Sequence, residues 1–184
     1  MKIYTLTLLL LFTYFTSAQD IDSLARVKKH QFKVNLLLTP NLDYEVGLSK
    51  TITLNFQAGL FPVAIENRQN DESRFTTVLG SKLSFRHYYN LNRRLQKDKS
   101  IDNNSGNYFG ISSWFAGSDP IIFNTSIEIS DSYYSEIGAI YGLQRVFFNK
   151  LSLNVESGLG VNFTDLQDPK VIPLLHLNLG WILF

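Results

Sequence analysis

Cysteine is absent from the 184 residues, which excludes disulfide bonds, thiolate metal sites and lipid attachment at a cysteine. An excess of charge of one sign is also lacking, because 17 basic and 16 acidic residues leave a net charge of +1. So small a charge creates no field that would favour nucleic acid as a partner. Beyond residue 18, no apolar run approaches the roughly 20 residues of a membrane-spanning helix. The rest of the chain therefore does not have the pattern of an α-helical membrane protein.

The first 18 residues have the pattern of a secretory signal peptide. Lys2 supplies a positive charge, Ile3–Phe15 an apolar stretch, and Thr16–Ala18 the small residues of a cleavage site. The alternative is an N-terminal membrane anchor, but this stretch is shorter than the roughly 20 residues that a spanning helix needs. We expect export and cleavage at that point, followed by a periplasmic leader at 19–31 and one barrel domain at 32–184.

The remaining chain alternates apolar and polar residues over long stretches. In Leu151–Thr164 the odd positions read Leu, Leu, Val, Ser, Leu, Val and Phe, whereas the even positions are polar or glycine. Alternate side chains of a β-strand point to opposite faces, so one face is apolar and the other polar. The run exceeds the ~5–6 residues of soluble strands and suffices for a membrane strand of about 9–11. Similar runs occupy 32–48, 52–60, 75–86, 109–115, 137–147 and 175–183.

These runs predict an all-β fold, an antiparallel up-and-down transmembrane β-barrel. Only seven long runs are visible, yet both termini should lie on the periplasmic side, which requires an even number of strands. A turn at Thr39–Asn41 resolves this, because Pro40 cannot donate a hydrogen bond within a central ladder. The apolar parity continues from Leu38 to Leu42, which a three-residue turn preserves, as does one long distorted strand. We expect the turn and hence eight strands.

A soluble lipid-binding barrel is the alternative within the all-β class. Its outer face would be rich in Lys and Glu, whereas the polar face here carries one or two charges per strand among Gly, Ser, Asn and Gln. Aromatic residues also gather near strand ends, as they do in interfacial girdles. These aromatics are Tyr88, Tyr89, Tyr108, Phe109, Tyr133, Tyr134, Phe147, Phe148, Trp181 and Phe184. Together these patterns favour the cell outer membrane as the location.

Loop lengths give the barrel a direction, because outer-membrane barrels keep periplasmic turns short and extracellular loops long. Short turns at 49–50 and 149–150 are then periplasmic, and the longer loops at 66–73, 117–132 and 165–170 are extracellular. The segment 92–106 must be periplasmic too. We expect a solvated turn there, although its cations could instead attract anionic lipid headgroups or an acidic partner. The cations are Arg93, Arg94, Lys97 and Lys99.

Charges on the polar face are expected to lie inside the barrel, where eight strands leave just enough room for side chains. An unpaired buried charge would cost several kcal/mol, so these charges must pair with one another. We predict a structural network in which Lys82 and Arg86 lie among the acids, with a proton or ion path as the functional alternative. The members are Lys33, Asp43, Glu45, Lys82, Arg86, Glu136 and Glu156.

Residue types that carry catalysis or bind metals are sparse. His30, His87 and His176 are too dispersed for a metal site, and neither His-x-His nor His-Glu-x-x-His occurs. A lipid A-modifying barrel enzyme built on His87 is the alternative from another class, but Tyr89 rather than serine stands at i+2. His176 shares the lumen parity and is expected to be hydrogen-bonded inside. We expect no enzyme, no cofactor and no metal, but a filled lumen with a structural or surface-interaction role.

Three strings carry a resemblance to a known family: Thr39–Leu48, Arg86–Asn90 and Asn104–Tyr108. Similar strings recur in an uncharacterised family of small outer-membrane β-barrel proteins of Gram-negative bacteria. The resemblance implies the fold and location, with outer-membrane lipids and the insertion machinery as partners, and no known activity. That machinery usually recognises a final aromatic residue on the apolar face. Phe184 ends the chain, but its parity groups it with the lumen face rather than with Trp181.

Overall fold

The computed structural model describes residues 25–37, 39–67, 72–122, 133–164 and 168–184. The predicted signal peptide at 1–18, the beginning of the predicted leader and part of each predicted extracellular loop (68–71, 123–132 and 165–167) lie outside the described residues. No helix within the described ranges is long and apolar enough to cross a membrane.

Eight antiparallel strands, each paired with its neighbour in sequence, form a closed barrel in which the last strand returns to the first. The strands are β1 (His30–Leu37), β2 (Asn41–Gly47), β3 (Ile52–Asn67), β4 (Glu72–Tyr88), β5 (Gly106–Ile122), β6 (Tyr133–Phe147), β7 (Leu151–Thr164) and β8 (Lys170–Ile182). A short helix α1 (Leu91–Leu95) and a 3-10 helix (Asp102–Asn104) lie between β4 and β5. The prediction of an all-β, up-and-down barrel of eight strands is confirmed.

We name the two ends of the barrel by their connections. The turn end carries 48–51, 89–105 and 148–150 together with both ends of the described chain. The loop end is the opposite one, where β3 and β4, β5 and β6, and β7 and β8 are connected. The predicted short turns at 49–50 and 149–150 therefore share one end, as expected.

The predicted turn at Thr39–Asn41 is the connection between β1 and β2. β1 ends at Leu37 and β2 begins at Asn41, which pairs with Asn35. Because three residues separate the strands, odd-numbered residues face inwards on both of them. Pro40 belongs to neither ladder, and its carbonyl accepts a hydrogen bond of 2.8 Å from the N–H of Leu60.

The two faces of the barrel have the reverse of the polarity found in a soluble protein. Among the described residues, 21 buried side chains are polar or charged and 12 are apolar, whereas 26 large apolar side chains are exposed. Proteins that fold in water normally bury apolar surface and leave charges outside. The period-two pattern of the sequence has therefore produced a polar lumen within an apolar exterior.

In the structure, two of the predicted extracellular loops are shorter than expected, because the strands extend into them. β3 continues to Asn67, β4 begins at Glu72, and β5 continues to Ile122, inside the predicted loops 66–73 and 117–132. Polar residues such as Asp119 interrupt the alternation there. The ladder between β4 and β5 nevertheless continues to the pair of Thr77 and Ile122, with shifts of register between Thr77 and Gly80, because backbone pairing does not depend on the polarity of the side chains.

Three aromatic residues predicted for the outer girdle lie inside the barrel instead. Tyr88 and Tyr108 are fully buried with their ring centroids 5.0 Å apart, and Tyr134 packs edge-on against buried Trp114. All three have even residue numbers, as do the other lumen-facing residues of β4, β5 and β6. The girdle prediction is wrong for these residues because closeness to a strand end does not decide which face a side chain occupies; parity does.

The C-terminal residue reaches the outer surface despite its predicted parity. Phe184 is 60% exposed, and its ring stacks on that of Phe32 with centroids 5.8 Å apart. Regular β8 ends at Ile182, yet the N–H of Phe32 still donates to the Phe184 carbonyl at 3.0 Å. The grouping of Phe184 with the lumen face is wrong, because the alternation of faces holds only within the strand.

Gly142 on β6 makes room for the ring of Tyr108, since a Cβ at this position would overlap the phenol. We expect Gly142→Ala to lower the free energy of unfolding by about 1–3 kcal/mol through overpacking. Urea unfolding of the refolded protein in detergent micelles measures the change.

Gly117→Ala on β5 is the matched control, because a Cβ there meets no atom of the described residues within 4 Å. We expect it to change the free energy of unfolding by less than about 0.5 kcal/mol. Equal effects of the two substitutions would contradict the packing of Tyr108 against Gly142.

Candidate functional site: the barrel lumen

The structure places all seven predicted charged residues inside the lumen, none more than 7% exposed. They come from five strands and reach towards one another across the interior. They are Lys33 of β1, Asp43 and Glu45 of β2, Lys82 and Arg86 of β4, Glu136 of β6 and Glu156 of β7. We call this set the lumen network.

Glu156 is the centre of the network. Both of its cationic partners lie on β4, where Lys82 Nζ donates to Oε2 and Arg86 Nη2 donates to Oε1 at 2.7 Å. The hydroxyl of Tyr108 donates to the same Oε1 at 2.7 Å, and the His176 Nδ1 lies 3.6 Å from Oε2. One carboxylate thus connects four strands: β4, β5, β7 and β8.

A second group of charges surrounds Lys33. Its Nζ lies 3.2 Å from Asp43 Oδ2 and 3.8 Å from Glu45 Oε2, and donates to Gln144 Oε1 at 3.1 Å. Arg86 Nη1 lies 3.7 Å from Glu45 Oε2 and so joins this group to the first. The lumen network therefore runs across the interior from β1 to β7.

Neutral side chains also donate hydrogen bonds to the two carboxylates of β2, although Glu45 Oε2 has no hydrogen-bond partner among the described residues. Asn55 and Gln57 donate to the two oxygens of Asp43 at 2.6 and 2.9 Å. Thr53 and Tyr88 donate to Glu45 Oε1 at 2.7 and 2.9 Å. These hydrogen bonds offset the cost of removing charged groups from water, which ion pairing alone often fails to repay.

Glu136 lies at the edge of the network. It accepts a hydrogen bond of 3.4 Å from the Tyr134 hydroxyl and lies 3.6 Å from His176 Nε2. His176 faces the lumen between two carboxylates, but its Nδ1 has no hydrogen-bond partner within the described part of the chain. The prediction of a hydrogen-bonded His176 is therefore wrong for this nitrogen.

The connection between β4 and β5 covers the turn end of the lumen. Leu91 of α1 is 2% exposed, and Asn104 is fully buried. The backbone carbonyl of Asn103 accepts hydrogen bonds from two lumen side chains, Gln31 at 3.0 Å and Gln144 at 2.9 Å. Asn103 and Asn104 have φ of 50° and 61°, in the left-handed region that asparagine tolerates better than most residues.

The prediction of a solvated turn at 92–106 is wrong for its second half. It rested on the cations, and Arg93, Lys97 and Lys99 are indeed exposed. The uncharged residues that follow them make the contacts with the lumen instead. Their burial depends on partners from β1 and β6, which are distant in sequence and leave no local signal.

Residues 25–29 complete the cover. Ala25 and Val27 are buried in one cluster with Tyr88 and Leu91. The N–H of Lys28 donates to Asn104 Oδ1 at 2.6 Å. This part of the predicted leader therefore packs against the connection between β4 and β5, and both segments together close the turn end.

The strings that carry the family resemblance meet in this lumen. Glu45 belongs to the first string, Arg86 and Tyr88 to the second, and Asn104 and Tyr108 to the third. The Arg86 guanidinium lies 4.9 Å from the centre of the Tyr108 ring. The two tyrosines were missed as site residues, although their parity would have placed them beside Arg86.

A family model described as "Protein of unknown function (DUF3575)" matches residues 4–172. The chain belongs to the DUF3575 family. No curated protein and no solved structure matches it.

The histidines of the DUF3575 protein remain apart from one another. His30 Nδ1 lies 2.7 Å from the hydroxyl of Tyr44, and His87 stacks on Phe109 with centroids 5.0 Å apart. Across the described ranges, no three His, Asp or Glu side chains are grouped so that they could hold a metal ion. The chemistry that the lumen supports is the mutual neutralisation of charges that hold distant strands together.

Glu156→Gln tests whether the network holds the barrel together. Gln keeps the size of the side chain but leaves Lys82 and Arg86 short of a buried counter-charge. We expect the free energy of unfolding to fall by about 3–5 kcal/mol, the usual cost of breaking a buried pair on one side. Urea titration, followed by the mobility of unheated samples on gels, measures it.

Asp98→Asn is the control, because Asp98 is an exposed acid in the turn after α1 and already has the positive φ that asparagine accepts. We expect no measurable change for this variant. A Glu156→Gln variant as stable as the control would refute a structural role of the network.

Proposed function

We propose that this DUF3575 member is a non-enzymatic outer-membrane β-barrel with a filled lumen, which acts in envelope structure or surface interaction. The reversed polarity of its two faces is the observation that carries the proposal. The 26 large apolar side chains that are exposed among the described residues, most of them on the outer face of the strands, are costly in water but are solvated by lipid. A closed ring of strands pairs its backbone groups internally, as the hydrocarbon region requires.

The proposed orientation puts the turn end in the periplasm and the loop end outside the cell. Strands β3, β4 and β5 have 16 or 17 residues, more than the roughly 9–11 that cross a bilayer. They therefore extend beyond the apolar band at the loop end. Export through a signal peptide at 1–18 and recognition of the strand ending at Phe184 by the insertion machinery belong to the same proposal.

The contents of the lumen favour a closed barrel over a pore. Paired charges cross its centre, and the segments 25–29 and 101–105 cover its turn end. Eight strands leave an interior that side chains fill, with no water channel left over. The proposed role is therefore assigned to the barrel as a membrane element and to its loop-end segments at 66–73 and 117–132.

A soluble lipid-binding barrel is disfavoured by the same observation. Such a barrel would line its lumen with apolar residues and expose charges to water. Lys33, Lys82 and Arg86 occupy the lumen here, while residues such as Ile111 and Phe115 face outwards.

Membrane location is tested by expressing the full chain in a Gram-negative host and fractionating the cells. We expect the protein in the outer-membrane fraction, extractable only with detergent. Unheated samples should migrate faster on gels than heated ones, because a closed barrel resists denaturation by detergent until it is heated. Recovery in the soluble periplasm without detergent would contradict the proposal.

The filled lumen is tested by conductance in planar lipid bilayers. We expect the refolded protein to give no stable single-channel steps, because the network and the cover obstruct the axis. A porin refolded in the same way provides the positive control. Reproducible steps of one size from the DUF3575 protein would mean that the lumen conducts.

A further inference from the structure

The β1–β2 hairpin is much shorter than the rest of the wall. β1 and β2 have eight and seven residues, and their ladders with β8 and β3 reach no further than Leu179 and Gly59. Beyond these points, 61–67 of β3 is paired in a ladder with β4 alone, and 171–177 of β8 with β7 alone, within the described part of the chain. We call the interval between these two segments the notch.

The dimensions of the notch follow from strand geometry. In a round barrel β3 and β8 are three strand spacings of about 4.8 Å apart, which leaves roughly 14 Å between their axes. Its edge on β3 is seven residues long, about 23 Å at ~3.3 Å per residue. An opening of this size is wide enough for a hydrocarbon chain.

Side-chain exposure agrees with a free edge on β8. Val171 and Leu175 are 74% and 76% exposed. Outward-facing residues on strands with two neighbours are less exposed, for example Ile111 at 58% and Leu159 at 65%. Leu177, next to the end of the β1 ladder, is 41% exposed, so the higher exposure is confined to the part of β8 that lies beyond β1.

Where the free backbone edges lie within the apolar band, as they do near Phe61 and along most of 171–177, they need an occupant, because lipid-exposed N–H and C=O groups are costly when unpaired. A further β-strand is a poor candidate, since Pro62 interrupts one edge and Pro173 the other. Proline has no N–H to donate and is typical of edges that resist strand addition. The occupant must therefore be one that does not depend on a continuous ladder.

The composition of the notch indicates an uncharged, apolar occupant. On β3, 61–67 contains one charged residue, Glu66, next to the loop end, and on β8, 171–177 contains only His176, which faces the lumen. Behind the notch lies an apolar cluster of Phe61, Val78, Trp114 and Ala116, in contrast to the charged centre of the lumen. Phe61 at the edge of the notch contacts Trp114 with ring centroids 5.6 Å apart.

We propose that the notch is a lateral lipid site in which an acyl chain of an outer-leaflet lipid lies between β3 and β8. The chain contacts Phe61 and reaches Trp114, and the ester oxygens of the lipid accept hydrogen bonds from free N–H groups of the edges. The site rests on the membrane location proposed above, and the experiment separates the two.

Trp114 and Trp181 are the two tryptophans of the chain, so each can be isolated by one substitution. Trp181→Phe, at an exposed position, leaves Trp114 in the lumen; Trp114→Phe leaves Trp181 on the outer surface. Both variants are refolded into phosphatidylcholine vesicles with or without brominated acyl chains, which quench tryptophan fluorescence on near contact. We expect quenching of both, with the fall for Trp114 at least half that for Trp181.

The two proposals fail in different ways. Quenching of Trp181 without quenching of Trp114 overturns the lateral site and leaves the membrane location intact. Absence of quenching for both overturns the membrane location. Quenching of Trp114 that declines as the protein-to-lipid ratio rises indicates that a second copy fills the notch, which also overturns the lipid site.

A variant that fills the notch distinguishes access through it from quenching through the wall. In the Trp181→Phe background, Ile172→Phe adds bulk on the lumen side of β8 and should reduce quenching of Trp114 at least twofold. Val171→Phe adds the same ring on the outer side of the same strand and should leave quenching unchanged. Equal quenching in the two variants overturns the proposal.

Discussion

A carboxylate inside an eight-stranded barrel is shielded from water, so it must be neutralised by cations on other strands that reach across the lumen. The arrangement of the interior depends on this constraint. Glu156 on β7 meets Lys82 and Arg86 from β4, and Tyr108 from β5 donates to the same oxygen as Arg86. The energetic reason is the large cost of a buried charge without a partner. Each of these contacts connects strands that are not neighbours, so the network links opposite sides of the barrel wall.

The lumen has little volume, and its side chains differ in size and polarity along the barrel axis. Large side chains are accommodated beside small ones, as Tyr108 is beside Gly142 and Leu174 beside Gly160. The centre is charged, the turn end is covered by 101–105 and 25–29, and the loop end holds the apolar cluster around Trp114. In the membrane location proposed above, the apolar exterior would face lipid that is equally apolar, so the contacts inside the lumen would contribute more of the stability.

Much of the lumen could be predicted from the sequence because the alternation of a strand is local. Residues such as Glu45, Arg86 and Glu156 were assigned to the interior by parity alone, and each lies there. Which of them pair could not be read from the pattern, since pairing depends on register around the ring. Tyr88 and Tyr108 show that parity is the stronger guide: aromatic residues near strand ends are typical of an outer girdle, yet the even parity of both residues places them in the lumen.

By itself, the sequence determined which face of each strand is polar, the number of strands and the turn at Pro40, because these follow from neighbours along the chain. Only the tertiary structure decided that Asn104 covers the lumen, that Phe184 reaches the outer surface and that the short hairpin leaves the notch between β3 and β8. These features depend on where distant segments meet once the ring closes. In the sequence, 151–164 shows only the alternation of a β-strand. In the closed barrel it is β7, and it holds Glu156 where residues of β4 and β5 can reach it.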